Sequence, residues 1–110
     1  MEPRESEAHA AAVAVMQRAH APYSHFRVGA AVVLSDGIVF SGCNVESASY
    51  GLTLCAERSA LSAAIAARGS LGAVDVELVV IATEADAPTP PCGACRQWLA
   101  EFAPNAEVLS

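Results

Sequence analysis

Two β-branched runs, residues 28–34 (VGAAVVL) and 38–40 (IVF), flank Ser35-Asp36-Gly37. Asp-Gly between such runs marks a tight reversal, because glycine takes positive φ without steric cost. The two runs therefore pair as an antiparallel hairpin. A third apolar run, VELVVIAT at 76–83, suits a buried strand. A sheet of such strands must be covered on both faces, and the remaining chain supplies helices. Residues 6–19 read as one helix, with Ala10, Val13, Ala14 and Met16 as its apolar stripe. Residues 55–67 read as a second, with Leu61 and Ile65 one turn apart and Gly69 just past its end. Residues 92–102 read as a third, ended by Pro104, and AEVLS begins a last strand. The segments APYSHF and VESASYGLTL read as loops, and EADAPTPP (84–91) cannot be a helix interior. The order α-β-β-α-β-α-β predicts an α/β fold, a mixed sheet with helices on both faces in three layers. With 110 residues, no internal repeat and no linker, residues 1–110 are expected to form one domain.

Composition narrows the partners. The formal net charge is -6, and all basic residues are arginine. Gripping a phosphate backbone takes clustered positive charge, so nucleic acid is not expected and a small molecule is. No apolar run reaches membrane-span length, and the charged start MEPRESEAHA is unlike a signal peptide. The expected location is cytoplasmic, away from membranes. In a reducing compartment, thiols at close spacing mean metal or catalysis more often than a disulfide.

Those thiols are Cys55 in LCAER and Cys92 and Cys95 in PPCGACRQ. Cys92 and Cys95, i and i+3 at a helix start, lie on one face, ~5–6 Å apart at Cβ. Both sulfurs can then reach one ion at about 2.3 Å, the usual zinc–thiolate distance. A helix N-terminus favours the thiolate, the form that binds metal, and Cys55 begins a helix too. Three protein ligands with one open position are the pattern of a catalytic zinc, and water in that position is acidified to near neutrality. Glu57, in the first turn after Cys55, is placed to reach that water and move its protons. On spacing alone a structural zinc site remains open, with Cys43 or His25 as the fourth ligand.

CAER followed by PCGACRQ resembles the zinc-dependent cytidine deaminases, whose ligand-x-Glu and Pro-Cys-x-x-Cys signature is a known one. Cysteine as the first ligand resembles the free-nucleoside branch. The resemblance extends to YSHFRVGAA (23–31) and GCNVESASYGLTLCAER (42–58), nearly the whole chain. It implies one Zn²⁺ per subunit on Cys55, Cys92 and Cys95, with Glu57 as the proton shuttle. It also implies Phe26 stacked on the pyrimidine, Asn44 and Glu46 on the ribose 3′-hydroxyl, and Ala56 among the substrate contacts. Ala48 and Tyr50 would be offered to a neighbouring subunit's site, since the family resembled is usually a homotetramer. Arg58 would donate to the zinc-bound sulfurs. Three thiolates leave the site at net charge -1, and a guanidinium drains that charge so that the bound water stays acidic.

The activity implied is hydrolytic deamination of cytidine or 2′-deoxycytidine in pyrimidine salvage. The alternatives are a deaminase of another cytosine nucleoside, such as blasticidin S, and a non-catalytic zinc-stabilised module. The chain departs from the family in having Ser47 where asparagine is usual, from which a modest change in loop hydrogen bonding is expected. The family's further C-terminal strand and tail are expected to be missing from it. That puts closure over substrate and the tetramer in question, with a homodimer as the weaker assembly. The remaining candidates have plain structural readings. Cys43 reads as a small buried hydrophobe. His9, His20 and His25 read as surface or loop residues, Arg96 as a solvated charge, and Trp98 as core or subunit interface.

Overall fold

The computed structural model describes residues 3–69, 75–84 and 93–109. Its elements run α1 (Pro3–Met16), β1 (Val28–Leu34), β2 (Val39–Cys43), a 3-10 turn (Tyr50–Leu52), α2 (Ala56–Arg68), β3 (Val76–Thr83), α3 (Gly93–Phe102) and β4 (Glu107–Leu109). The sheet order is β2-β1-β3-β4. β1 pairs antiparallel with β2 and with β3, while β4 runs parallel to β3. The expected order of elements and the mixed sheet are therefore present.

The hairpin turn is the one the sequence predicts. Gly37 has φ 87° and its N–H donates to the Leu34 carbonyl at 2.9 Å. Asp36 Oδ1 accepts from the Ile38 N–H at 3.0 Å. Strand pleating then sorts β1 by parity: Ala30, Val32 and Leu34 face α2 and α3, and Ala31 and Val33 face α1. β3 divides likewise, except that the register slips between Val33 and Leu34 so that Leu34 pairs with Val76. That irregularity turns Val76 to the same face as Val79 and Ile81. Each face is thus sealed by its own helices, with α1 on one and α2 and α3 on the other. Fully burying each such valine or leucine contributes roughly 1.5–3 kcal/mol.

The first helix differs from expectation. It starts at Pro3 and ends at Met16. Proline is well suited to a first helical position, where its missing N–H costs nothing. The early end comes from a tether: the His20 N–H donates to the Asn44 carbonyl at 3.0 Å, which draws the chain out of the helix. The buried stripe is Ala8, Ala12 and Met16, while Ala10 and Ala14 are exposed. An alanine-rich helix carries little contrast between faces, and the sheet chose. Its choice is set at Gly29, where a Cβ would lie 2.0 Å from the Ala12 carbonyl oxygen.

α2, which carries the site, sits equally close. A Cβ on Gly42 would lie 2.4 Å from the Ala60 nitrogen. Ala56, Ala60, Leu61 and Ala64 are fully buried against the sheet. Gly69 ends the helix at φ 85°, its N–H donating to the Ile65 carbonyl.

Candidate metal and substrate site

A short backbone ladder joins three distant segments. Val45 and Leu54 exchange hydrogen bonds at 2.8 and 2.9 Å, and the Glu46 N–H donates to the His20 carbonyl at 2.8 Å. The ladder brings the loop at 20–26, the strand exit at 44–46 and the start of α2 side by side.

Cys55 is the N-cap residue of α2, with extended φ/ψ and no side-chain cap bond. Its sulfur lies instead against Arg58. Cys95 lies in the first turn of α3 and is fully buried. Arg58 connects the two. Its Nη2 donates to the Thr53 carbonyl at 2.9 Å and lies 3.6 Å from Cys55 Sγ. The hydrogen bond with Cys55, then that with Cys95, hold the guanidinium pKa above its ordinary value. Arg58 Nε is buried without a hydrogen-bond partner among the described residues. Glu57, in the first turn of α2, is only 4% exposed. Burial, the largest cause, pushes its carboxyl above the usual range, while a hydrogen bond from Cys95 pulls it back.

Cys55, Glu57, Arg58 and Cys95 therefore form one cluster at the converging starts of two helices. Cys92 lies outside the described residues. Among the described residues no group of three metal-ligating side chains occurs, so this cluster contains the two thiols and not a complete set. The donor chemistry fits Zn²⁺. Two cysteine sulfurs at helix N-termini beside a guanidinium are the soft donors that zinc prefers.

The substrate candidates gather around the ladder. Phe26 is half-buried. Asn44, 8% exposed, is bonded at both ends of its amide. Its Oδ1 accepts from the Val28 N–H at 2.9 Å and its Nδ2 donates to the Phe26 carbonyl at 2.9 Å. Glu46 Oε1 accepts from the N–H groups of Tyr23 and Ser24 at 3.0 and 3.1 Å, and Oε2 accepts from the Ser24 hydroxyl. Those bonds, the Ser24 hydroxyl first, hold the carboxyl below its ordinary pKa. Ala56 is fully buried, so its methyl belongs to the core. Ala48 is exposed and Tyr50 opens the 3-10 turn. Ser47 takes part in closing this loop: its N–H donates to Thr53 Oγ1 at 3.1 Å and its hydroxyl accepts from the Ser49 N–H at 3.1 Å.

The plain readings hold for the most part. His9, His20, His25 and Arg96 are exposed. Trp98 is half-buried against the core, edge-on to Phe102 with centroids 5.5 Å apart. Cys43 is half-buried at the end of β2, not sealed in the core. The residues that sequence reasoning missed are Ser24, Thr53 and the Arg27–Glu84 pair, which no motif spacing singles out.

The family model for the cytidine and deoxycytidylate deaminase zinc-binding region matches residues 3–110. The chain belongs to that family. Zn²⁺ is accordingly its cofactor. A cytidine deaminase of Halalkalibacterium halodurans is 48% identical over 93 residues, 84% of this chain and 67% of that protein. A probable cytidine deaminase of Dictyostelium discoideum is 51% identical over 87 residues, 78% of this chain and 56% of that protein. The chain thus spans only part of the curated relatives' length. Among solved structures, the Burkholderia pseudomallei cytidine deaminase superposes with a TM-score of 0.83 at 48% identity, over 93% of this chain and 77% of that one. The Mycobacterium tuberculosis enzyme gives 0.85 at 34% identity, over 99% and 86%. These matches establish the cytidine-deaminase-like α/β fold.

Proposed function

We propose that the protein hydrolyses cytidine and 2′-deoxycytidine to the uracil nucleosides and ammonia. The observation that carries this reading is the buried Glu57 carboxyl, 4% exposed in the first turn of α2, with Arg58 against Cys55. An acid that pays for burial in the first turn of a helix, beside two thiols, has a task there. Cys55, Cys92 and Cys95 would hold a single Zn²⁺, which supplies a Lewis acid that makes water a nucleophile at neutral pH.

The remaining work belongs to the side chains. Glu57 carries one proton of the attacking water to N3 of the cytosine ring and the other to the exocyclic nitrogen, which departs as ammonia. Burial raises its pKa, the direction that suits a group that must both take and give a proton. Arg58 offsets the negative charge of the thiolates. The Phe26 ring would offer a stacking face to the base, and Asn44 Oδ1 and Glu46 Oε2, one lone pair taken by the Val28 N–H and the Ser24 hydroxyl respectively, would each have a second for a sugar hydroxyl. Ala56 would contribute through its main chain at the start of α2. Ala48 and Tyr50, on the neighbouring loop, would serve a second subunit in a homotetramer. The exposed apolar side chains Tyr23, Val45 and Leu52 in the same region support an association. A role in pyrimidine salvage in the cytoplasm follows from the substrate and from thiols that must stay reduced.

The test is zinc-loaded wild type against Glu57→Gln, read by the absorbance change of cytidine and by ammonia release. The variant is expected to keep its zinc and lose turnover by roughly 10³-fold. Equal turnover in both proteins would remove Glu57 from the chemistry, and no turnover in either would remove the activity.

A further inference from the structure

The Glu46 carboxylate and the Phe26 backbone meet at one atom, the Ser24 hydroxyl oxygen. The Phe26 N–H donates to Ser24 Oγ at 3.0 Å, and Ser24 Oγ is bonded to Glu46 Oε2. Direction follows from chemistry. An N–H can only donate, so it takes a lone pair of the hydroxyl. An ionised carboxylate can only accept, so it takes the hydroxyl proton. Both capacities of Ser24 are used at once, and its rotor is fixed. The Ser24 and Tyr23 N–H groups hold the other carboxylate oxygen at 3.1 and 3.0 Å. His25, between Ser24 and Phe26, adopts φ 58°, its N–H donating to the Ala21 carbonyl at 3.0 Å, so the loop is turned tightly at this point.

We propose that Ser24 is a positioning residue for substrate recognition, locking the acceptor for the sugar hydroxyl and the stacking ring into one preformed unit. The inference rests on the deaminase reading. Ser24 need not touch substrate. It acts by sparing the site the entropy of ordering Glu46 and the Phe26 backbone when a nucleoside arrives. The low pKa of Glu46, caused first by this hydroxyl, is in keeping with that role.

Steady-state kinetics of zinc-loaded Ser24→Ala, Ser24→Thr, Glu46→Gln and the Ser24→Ala/Glu46→Gln double variant test it. The substrates are cytidine and 2′,3′-dideoxycytidine, which lacks the 3′-hydroxyl. Ser24→Ala is expected to raise KM for cytidine about tenfold, the loss of one charge-assisted hydrogen bond, with kcat within about threefold. The penalty shrinks on the dideoxynucleoside, and Ser24→Thr, which keeps the hydroxyl, restores KM. The double variant is no worse than Glu46→Gln alone, because the two residues act as one unit. Equal penalties on both nucleosides, additive penalties, or a wild-type KM in Ser24→Ala overturn the proposal. Should Ser24→Ala fail to fold, Ser24→Cys keeps the size, weakens both hydrogen bonds and carries the same comparison. A wild type without turnover overturns the deaminase reading and this one with it. An active wild type indifferent to position 24 overturns this one alone.

Discussion

Arg27 follows Phe26 directly, and its guanidinium grips Glu84 through Nε and Nη2, both at 3.0 Å, while its own N–H also donates to Glu84 at 2.9 Å. Its Nη1 reaches Gln17 Oε1 at 3.1 Å. One exposed side chain thus ties the end of α1, the entry to β1 and the end of β3. The Arg27 hydrogen bond, ahead of its charge, lowers the Glu84 pKa from 4.5 to about 2. The unfolded chain therefore binds more protons than the folded one between those values. The pair's stabilisation is present above the unfolded pKa and is lost as pH falls through that window. In thermal melts from pH 5 down to about 2, wild type should lose stability faster than Glu84→Gln, which has no carboxyl to protonate. Parallel curves for the two proteins would mean that solvent screens the pair to insignificance.

At the scale of an element, the site depends on how α2 sits. The helix carries Cys55 at its cap and Glu57 and Arg58 in its first turn. Its height above the sheet is set by Gly42, where an added methyl would lie 2.4 Å from the Ala60 nitrogen and 2.7 Å from Ser59 Cβ. The near atoms include backbone, which cannot swing aside. Gly42→Ala should lower unfolding stability by about 1–3 kcal/mol, the usual cost of overpacking a close contact. It should also weaken zinc retention, because the Cys55 sulfur moves with the helix. Urea denaturation and a zinc-release assay read the two effects. Unchanged stability would mean that α2 slides freely on β2.

The molecule as a whole brings two helix starts together, one following the ladder at 45 and 54 and the other following β3. No helix among the described residues is long and apolar enough to cross a membrane. A cation shared between α2 and α3 would cross-link elements far apart in sequence, so metal binding is also folding energy. Removing zinc with a chelator should lower the melting temperature by roughly 10 °C or more, and adding zinc back should restore it together with turnover. Recovery of the melting temperature without turnover would identify a zinc-stabilised module. A melting temperature indifferent to chelation would mean that no cation joins the two helices.

Much of this was legible in the chain. The 28–40 hairpin follows from β-branched runs and one Asp-Gly reversal, because turn chemistry is local. α2, β3 and the end at Gly69 follow from period and capping, which are also local. The thiols and Glu57 stood out because metal ligation needs particular residue types at short spacing. Tertiary structure decided the rest. Which stripe of α1 is buried depended on Gly29 admitting the Ala12 backbone, and an alanine-rich helix has no contrast of its own to announce it. The partners of Glu46, Asn44 and Arg58 are main-chain groups set by the ladder that joins 20, 45 and 54. A backbone N–H or carbonyl is the same in every residue, so its role as a partner exists only once the fold has brought it there.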